Sequence, residues 1–203
     1  MNLVEINVSV NNSVKHFLTL LTLCMFSLMP LHALEEKEIT PFMQTNIDLA
    51  TTILRDSKIQ KADKAQKIFT IFDAIFDYTL MSKLALGGKQ GESIGVEKQA
   101  RFTKAFEVKL KNSYMEKLDL YTDEKIVIKN LEKIKDARIH LTTHLIKNSE
   151  VYEIIYKFYK DKNDQWLIYD VDILGVSIIQ TYRTQFADML AKESFEKLLE
   201  KLH

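Results

Sequence analysis

Trp166-Leu-Ile-Tyr169-Asp-Val171-Asp-Ile-Leu-Gly175-Val-Ser177 runs without interruption into Ile178-Ile-Gln-Thr-Tyr182-Arg183-Thr-Gln185-Phe186. Its first half alternates at period two, with Leu167, Tyr169, Val171 and Ile173 on one side and Trp166, Ile168, Asp170 and Asp172 on the other, which predicts a strand. Gly175 supplies a turn, after which Ile178, Ile179, Tyr182, Phe186, Met189 and Leu190 recur at helical spacing. Just upstream, Val151 to Tyr159 sets Tyr152, Ile154, Tyr156 and Phe158 against Glu153 and Lys157, the alternation of a half-buried antiparallel strand. The polar loop Asp161-Lys-Asn163-Asp164 joins the two as a hairpin. Further back, Lys135 to Lys147 alternates weakly, and Ile126 and Ile128 open the strand-like region that begins after Thr122.

Before Thr122 the period is 3.6. Thr40-Pro41 reads as a capping hydroxyl followed by a proline at the first helical position, where a missing N–H costs nothing. Phe42, Met43, Ile47, Ala50 and Leu54 follow on one face. A second helix is expected to carry Ala65, Ile68, Phe69, Phe72, Ile75, Phe76 and Leu80 and to end near Leu86-Gly87-Gly88. A third runs from about Val96 to Leu118 with Phe102, Phe106, Leu110 and Tyr114 on its stripe. A last one carries Phe195, Leu198, Leu199 and Leu202. The expected plan is α+β, with helices, an antiparallel sheet and then helices, and with no repeat or Pro-rich linker it reads as one domain from Leu34 to His203.

Phe17 to Leu31 is almost wholly apolar, is preceded by Lys15 and His16, and gives way after Leu31-His32-Ala33 to charged residues. That is the pattern of a secretory signal peptide over residues 1–33, cleaved near Ala33. A spanning anchor needs about 20 apolar residues, whereas this run is shorter and contains Pro30. Cys24 follows Leu23, not the small residue that a lipidation signal wants, so the thiol is expected to leave with the signal. A mature chain without cysteine suits an oxidising compartment. Met1 to Ser13 carries Glu5 and no basic residue, which is unusual for a signal peptide and suggests that translation starts near Val14.

The 203 residues are 46% hydrophobic and include 28 basic and 28 acidic side chains. This describes a globular domain with a substantial core and no basic stripe, so nucleic acid is not an expected partner. Lysines beside glutamates, as in Glu116-Lys117 and Glu196-Lys197, read as solvated helix faces.

Few residues invite chemistry. Gly175-Val176-Ser177 sits at a strand-to-helix turn where hydrolases expose a nucleophilic serine, but the position two after Ser177 is Ile179, not glycine, and an N-cap role explains the hydroxyl more simply. His140 and His144 are spaced for zinc only on a helix, and their segment reads as a strand. Asp170 and Asp172 share a strand face, where acid–base work competes with pairing to a nearby Lys or Arg. The Gly87-Gly88-Lys89 loop lacks phosphate-loop spacing and follows a helix. What remains is apolar and aromatic surface, which periodicity alone assigns to an ordinary core.

Ile71-Phe-Asp-Ala-Ile-Phe-Asp-Tyr-Thr-Leu-Met-Ser-Lys-Leu-Ala-Leu-Gly87, then Phe102-Thr-Lys-Ala-Phe106 with Leu110 and Tyr114, then Trp166 to Ser177 and Tyr182-Arg183-Thr-Gln-Phe186 together resemble the MlaC family of periplasmic phospholipid carriers. The pattern departs at Leu174, where most members carry an acidic residue, and in the Gly87-Gly88 loop. The resemblance implies a curved antiparallel sheet backed by helices, similar to the NTF2-like cone, with acyl chains held between sheet and helices. It implies a carrier and not an enzyme, monomeric, with no cofactor beyond bound glycerophospholipid as cargo. It also implies localisation in the periplasm and shuttling between an outer-membrane lipoprotein–porin complex and an inner-membrane Mla-type ABC transporter with a lipid-binding ring, in a system that maintains outer-membrane lipid asymmetry. Face and family position together assign the lipid pocket to Leu84, Phe106, Leu110, Ile139, Leu141, Ile154, Tyr156, Val171, Ile173 and Ile179, with Tyr182 or Arg183 nearer its mouth.

Overall fold

The computed structural model describes residues 33–87, 94–115 and 124–202. The expected signal peptide with Cys24, the loop 88–93, the segment 116–123 and His203 lie outside the described residues. A short 3-10 turn, Glu36–Glu38, leads into α1, Ile39–Arg55, and the Glu35 N–H donates to Glu38 Oε2 at 3.0 Å. The helix therefore begins one residue before Thr40, which was expected to cap it. Pro41 still falls in the first turn, where no intrahelical bond is lost. Ile39, Met43, Ile47 and Ala50 are buried at three- and four-residue spacing.

The second expected helix is two. α2 spans Lys61–Asp73 and α3 spans Tyr78–Leu86. Apolar periodicity continues across the junction, but the backbone there is taken up by the sheet. Ile168 N–H donates to the Ile75 carbonyl at 2.7 Å and Asp77 N–H donates to the Ile168 carbonyl at 3.0 Å, a parallel bridge at Phe76. Asp77 then caps α3 by accepting the Leu80 N–H at 2.8 Å, and its carboxylate also accepts the Tyr159 hydroxyl. α4, Val96–Met115, completes the helical half of the described chain.

Five strands follow in an antiparallel meander, in the order β1 (Lys125–Lys135), β2 (Arg138–Lys147), β3 (Glu150–Lys160), β4 (Trp166–Ile173) and β5 (Val176–Ser177). Asn148-Ser149 and Leu174-Gly175 each turn with positive φ at both residues, the two-residue hairpin geometry that matches strand twist. At Leu174 this places a leucine in a conformation that favours glycine or asparagine. The chain ends in α5, Ile178–Leu190, and α6, Phe195–Leu202.

β4 corrects one expectation. Lys157 pairs with Asp170 but Phe158 pairs with Ile168, so Tyr169 is an extra residue in a bulge. The alternation shifts there. Trp166 and Ile168 share their face with Val171 and Ile173, not with Asp170 and Asp172 as regular alternation predicts.

Two cores result. One is sheet-based, joining Ile39, Met43 and Ile47 of α1 to Ile139, Leu141, Phe158, Trp166 and Ile168. The other is helical, joining Met81, Phe102, Phe106, Phe186, Leu198 and Leu202 from α3 to α6. In it Phe102 lies 5.5 Å from Phe186 and 5.9 Å from Phe195 between ring centroids.

Candidate binding site

Between the two cores lies a cavity of about 310 Å³. Ile68, Phe69 and Phe72 come from α2, Tyr78 and Met81 from α3, and Leu110, Lys111 and Tyr114 from α4, while the sheet supplies Ile154, Tyr156, Val171 and Ile173 and α5 supplies Ile178. Phe76, at the α2–α3 junction, stacks on Tyr78 with centroids 5.9 Å apart. The helical elements line it because α2, with Ala65 as its only buried residue, packs too sparsely to close the gap.

The wall is apolar apart from three tyrosine hydroxyls and one charged side chain. Lys111 is its single charged residue, with Nζ 2.8 Å from Asp73 Oδ2 and 2.6 Å from Glu107 Oε1. The ammonium also sits over the Tyr78 ring at 5.0 Å and the Phe69 ring at 5.7 Å from the centroids. Burial alone would lower its pKa, but the hydrogen bonds to Asp73 and Glu107 outweigh burial and hold it above the ordinary lysine value. Burial pushes the Tyr156 phenol up to about 12. It also raises Tyr114, and together with the hydrogen bond to Asp73 it raises Tyr78, so all three phenols are neutral at pH 7.

Of the residues expected to form a pocket, Leu110, Ile154, Tyr156, Val171 and Ile173 share this wall. The others lie elsewhere. Ile139 and Leu141 are fully buried in the sheet core, on β2 opposite Phe158 and Tyr156 of β3. Phe106 and Ile179 belong to the helical core. Tyr182 packs there too, 5.3 Å from Phe106, with its hydroxyl 3.3 Å from Ser113 Oγ. Leu84 lies in a separate surface hollow with Lys83, Val96 and Gln99. Arg183 is exposed on α5, its Nε 3.7 Å from where a Cβ on Gly87 would stand. Sequence reasoning noted Phe69, Phe72, Phe76 and Tyr114 as aromatic surface without placing them in the pocket, and Lys111 carried no signal beyond its position one residue after Leu110 on α4.

Ser177 caps α5. Its Oγ accepts the Gln180 N–H at 2.9 Å and donates to Asp170 Oδ2 at 2.8 Å. Asp170 also accepts from the backbone N–H groups of Val171 at 2.9 Å and Ile179 at 3.2 Å, which fixes the strand-to-helix corner. Lys157 lies 3.0 Å from Asp170 and 2.6 Å from Asp172, so these carboxylates pair with a lysine of the adjacent strand. His140 and His144 occupy alternate positions of one face of β2, and among the described residues no group of three or more His, Cys, Asp or Glu could hold a metal ion.

Residues 44–203 match the model of the family described as "MlaC protein". The chain belongs to the MlaC family. Within it, the intermembrane phospholipid transport system binding protein MlaC of Haemophilus influenzae is 25% identical over 119 residues, covering 57% of this chain. That alignment spans 56% of the relative's length. A phospholipid-binding protein from Ralstonia solanacearum, solved in complex with a phospholipid, has the same fold, with a TM-score of 0.67 at 21% identity over 80% of this chain and 93% of that one. The MlaC match takes in α2 to α6 and every strand, and so every residue of the cavity wall.

Proposed function

We propose that this chain is a phospholipid carrier whose acyl-chain site is the cavity between the sheet and the helices. The observation that carries this reading is an aromatic–aliphatic wall, with Lys111 as its only charged residue, in a fold of the MlaC family. Two acyl tails hold on the order of 30 methylenes, and exposing them to water would cost roughly 25 kcal/mol at about 0.8 kcal/mol each. A dry pocket removes most of that cost and needs no bond-making chemistry. Because such a pocket solvates tails about as well as a bilayer does, direction comes from partners, and an Mla-type ABC transporter with its lipid-binding ring and an outer-membrane lipoprotein–porin complex fit that role. Export by residues 1–33 would deliver the carrier domain to the periplasm.

α2 is the loosest wall of the cavity, with Ala65 as its only buried residue. Its N-terminal end is held by Lys64 Nζ, 2.6 Å from the Leu54 carbonyl, and its C-terminal end by the Lys111–Asp73 pair.

The test is to express the full chain, purify it without detergent and identify bound molecules by native mass spectrometry with organic extraction. Stoichiometric diacyl phospholipid is expected. A folded protein that arrives empty and takes up no added phospholipid would overturn the reading in favour of a scaffold within the transport complex.

A further inference from the structure

The cavity has one charged edge, and its composition is specific. For a lipid whose tails lie against Phe72, Ile154 and Val171, the one cation that the wall offers a phosphate is Lys111. The ammonium has three N–H donors. Asp73 and Glu107 take two of them, at 2.8 and 2.6 Å. The side chain of Lys111 is 20% exposed and those of Asp73 and Glu107 are 37% and 34% exposed, so the group is wet on one side and apolar on the other. One cation between two carboxylates leaves a net charge of −1. A phosphate can take the third Lys111 donor, but a headgroup with no positive charge of its own then adds to the negative total. A headgroup that also carries an ammonium can set it against Asp73 or Glu107 and balance the charges.

We propose that Lys111, Asp73 and Glu107 form a headgroup subsite that favours zwitterionic phosphatidylethanolamine-type lipids over anionic phosphatidylglycerol-type lipids. This rests on the carrier reading above and adds selectivity to it. Aromatic rings under Lys111 hold the ammonium in place, so the site is formed before lipid arrives.

The experiment offers the full-length protein, stripped of lipid, to vesicles of equimolar phosphatidylethanolamine and phosphatidylglycerol with identical acyl chains, and quantifies what is extracted. Half-exposed ion pairs of this kind support a preference of roughly fivefold for phosphatidylethanolamine. Glu107→Gln keeps an acceptor for Lys111 while neutralising the edge, and is expected to bring the two lipids close to parity. Lys111→Gln removes the phosphate partner, and is expected to lower uptake of both lipids and to widen the ratio. Equal uptake by the wild type, or a ratio that Glu107→Gln leaves unchanged, removes the subsite and leaves the carrier. Uptake of neither lipid by the folded wild type removes the carrier reading and the subsite with it.

Discussion

Phe102 and Phe72 are the same residue on helices of similar apolar pattern, yet they do opposite things. Phe102 is fully buried among Phe106, Phe186 and Phe195, where four helices meet. Phe72 is half-buried, packed against the edge of the sheet core on one side and lining the cavity on the other. An apolar stripe reports that a face avoids water, but whether the other side is filled by protein or left for a ligand depends on how closely the neighbouring element approaches. In this molecule the difference is α2, which lies over the sheet without packing tightly on it.

That contrast can be broken most directly by truncation. Phe102→Ala is expected to cost about 3–5 kcal/mol in denaturant unfolding, the range for a large core aromatic. Phe72→Ala is expected to cost roughly 1 kcal/mol, because the site is already open on one side. Equal costs would mean that α2 is core and the void is closed in solution. Charge sharpens the comparison next. Ile154→Asp puts a carboxylate in the apolar wall, where burying it under acyl chains costs several kcal/mol, so bound lipid is expected to fall at least tenfold while the protein still folds. Wild-type lipid content in the folded variant would take Ile154 out of the pocket.

The smallest effect lies on the opposite face of the sheet. Burial and then the charge of Lys157 lower the His140 pKa below its ordinary value. The folded state therefore resists protonation, and the stability linked to His140 is complete above about pH 6.5 and is lost as pH falls towards the lowered value. The melting temperature of the wild type is expected to drop between pH 7.5 and 5.5 by more than that of His140→Gln. Parallel pH profiles would remove His140 as the cause.

The sheet was legible because Tyr152, Ile154, Tyr156 and Phe158 alternate cleanly against charged neighbours, and burial enforces that register. The break between α2 and α3 was not, because Phe72, Ile75, Phe76 and Leu80 continue a helical stripe across it. What ends the helix is pairing of Ile75 and Asp77 with Ile168, about ninety residues away in the chain, and no local pattern encodes such a partner. The bulge at Tyr169 was hidden because Trp166 to Tyr169 is an unbroken apolar run that fits either face, so only Asp170 to Ile173 fixes a register. Strand positions of the cavity wall such as Ile154 and Val171 followed from face and family position together. Phe69, Phe72 and Lys111 needed the position of α2, and Ile139 and Leu141 lie on the correct face but one strand over, in the core that α1 completes.

The bulge has a consequence for how the chain can change length. Tyr169 is the extra residue between two stretches that face the same way, Trp166 with Ile168 on one side of it and Val171 with Ile173 on the other. Losing Tyr169 would leave Asp170 between Ile168 and Val171 in plain alternation, with every other side chain on the face it now occupies. Losing Leu167 would instead turn Trp166 outward. A one-residue gap is thus tolerable at a single point in this strand, and homologous chains that differ by a residue here can keep the same core and the same cavity.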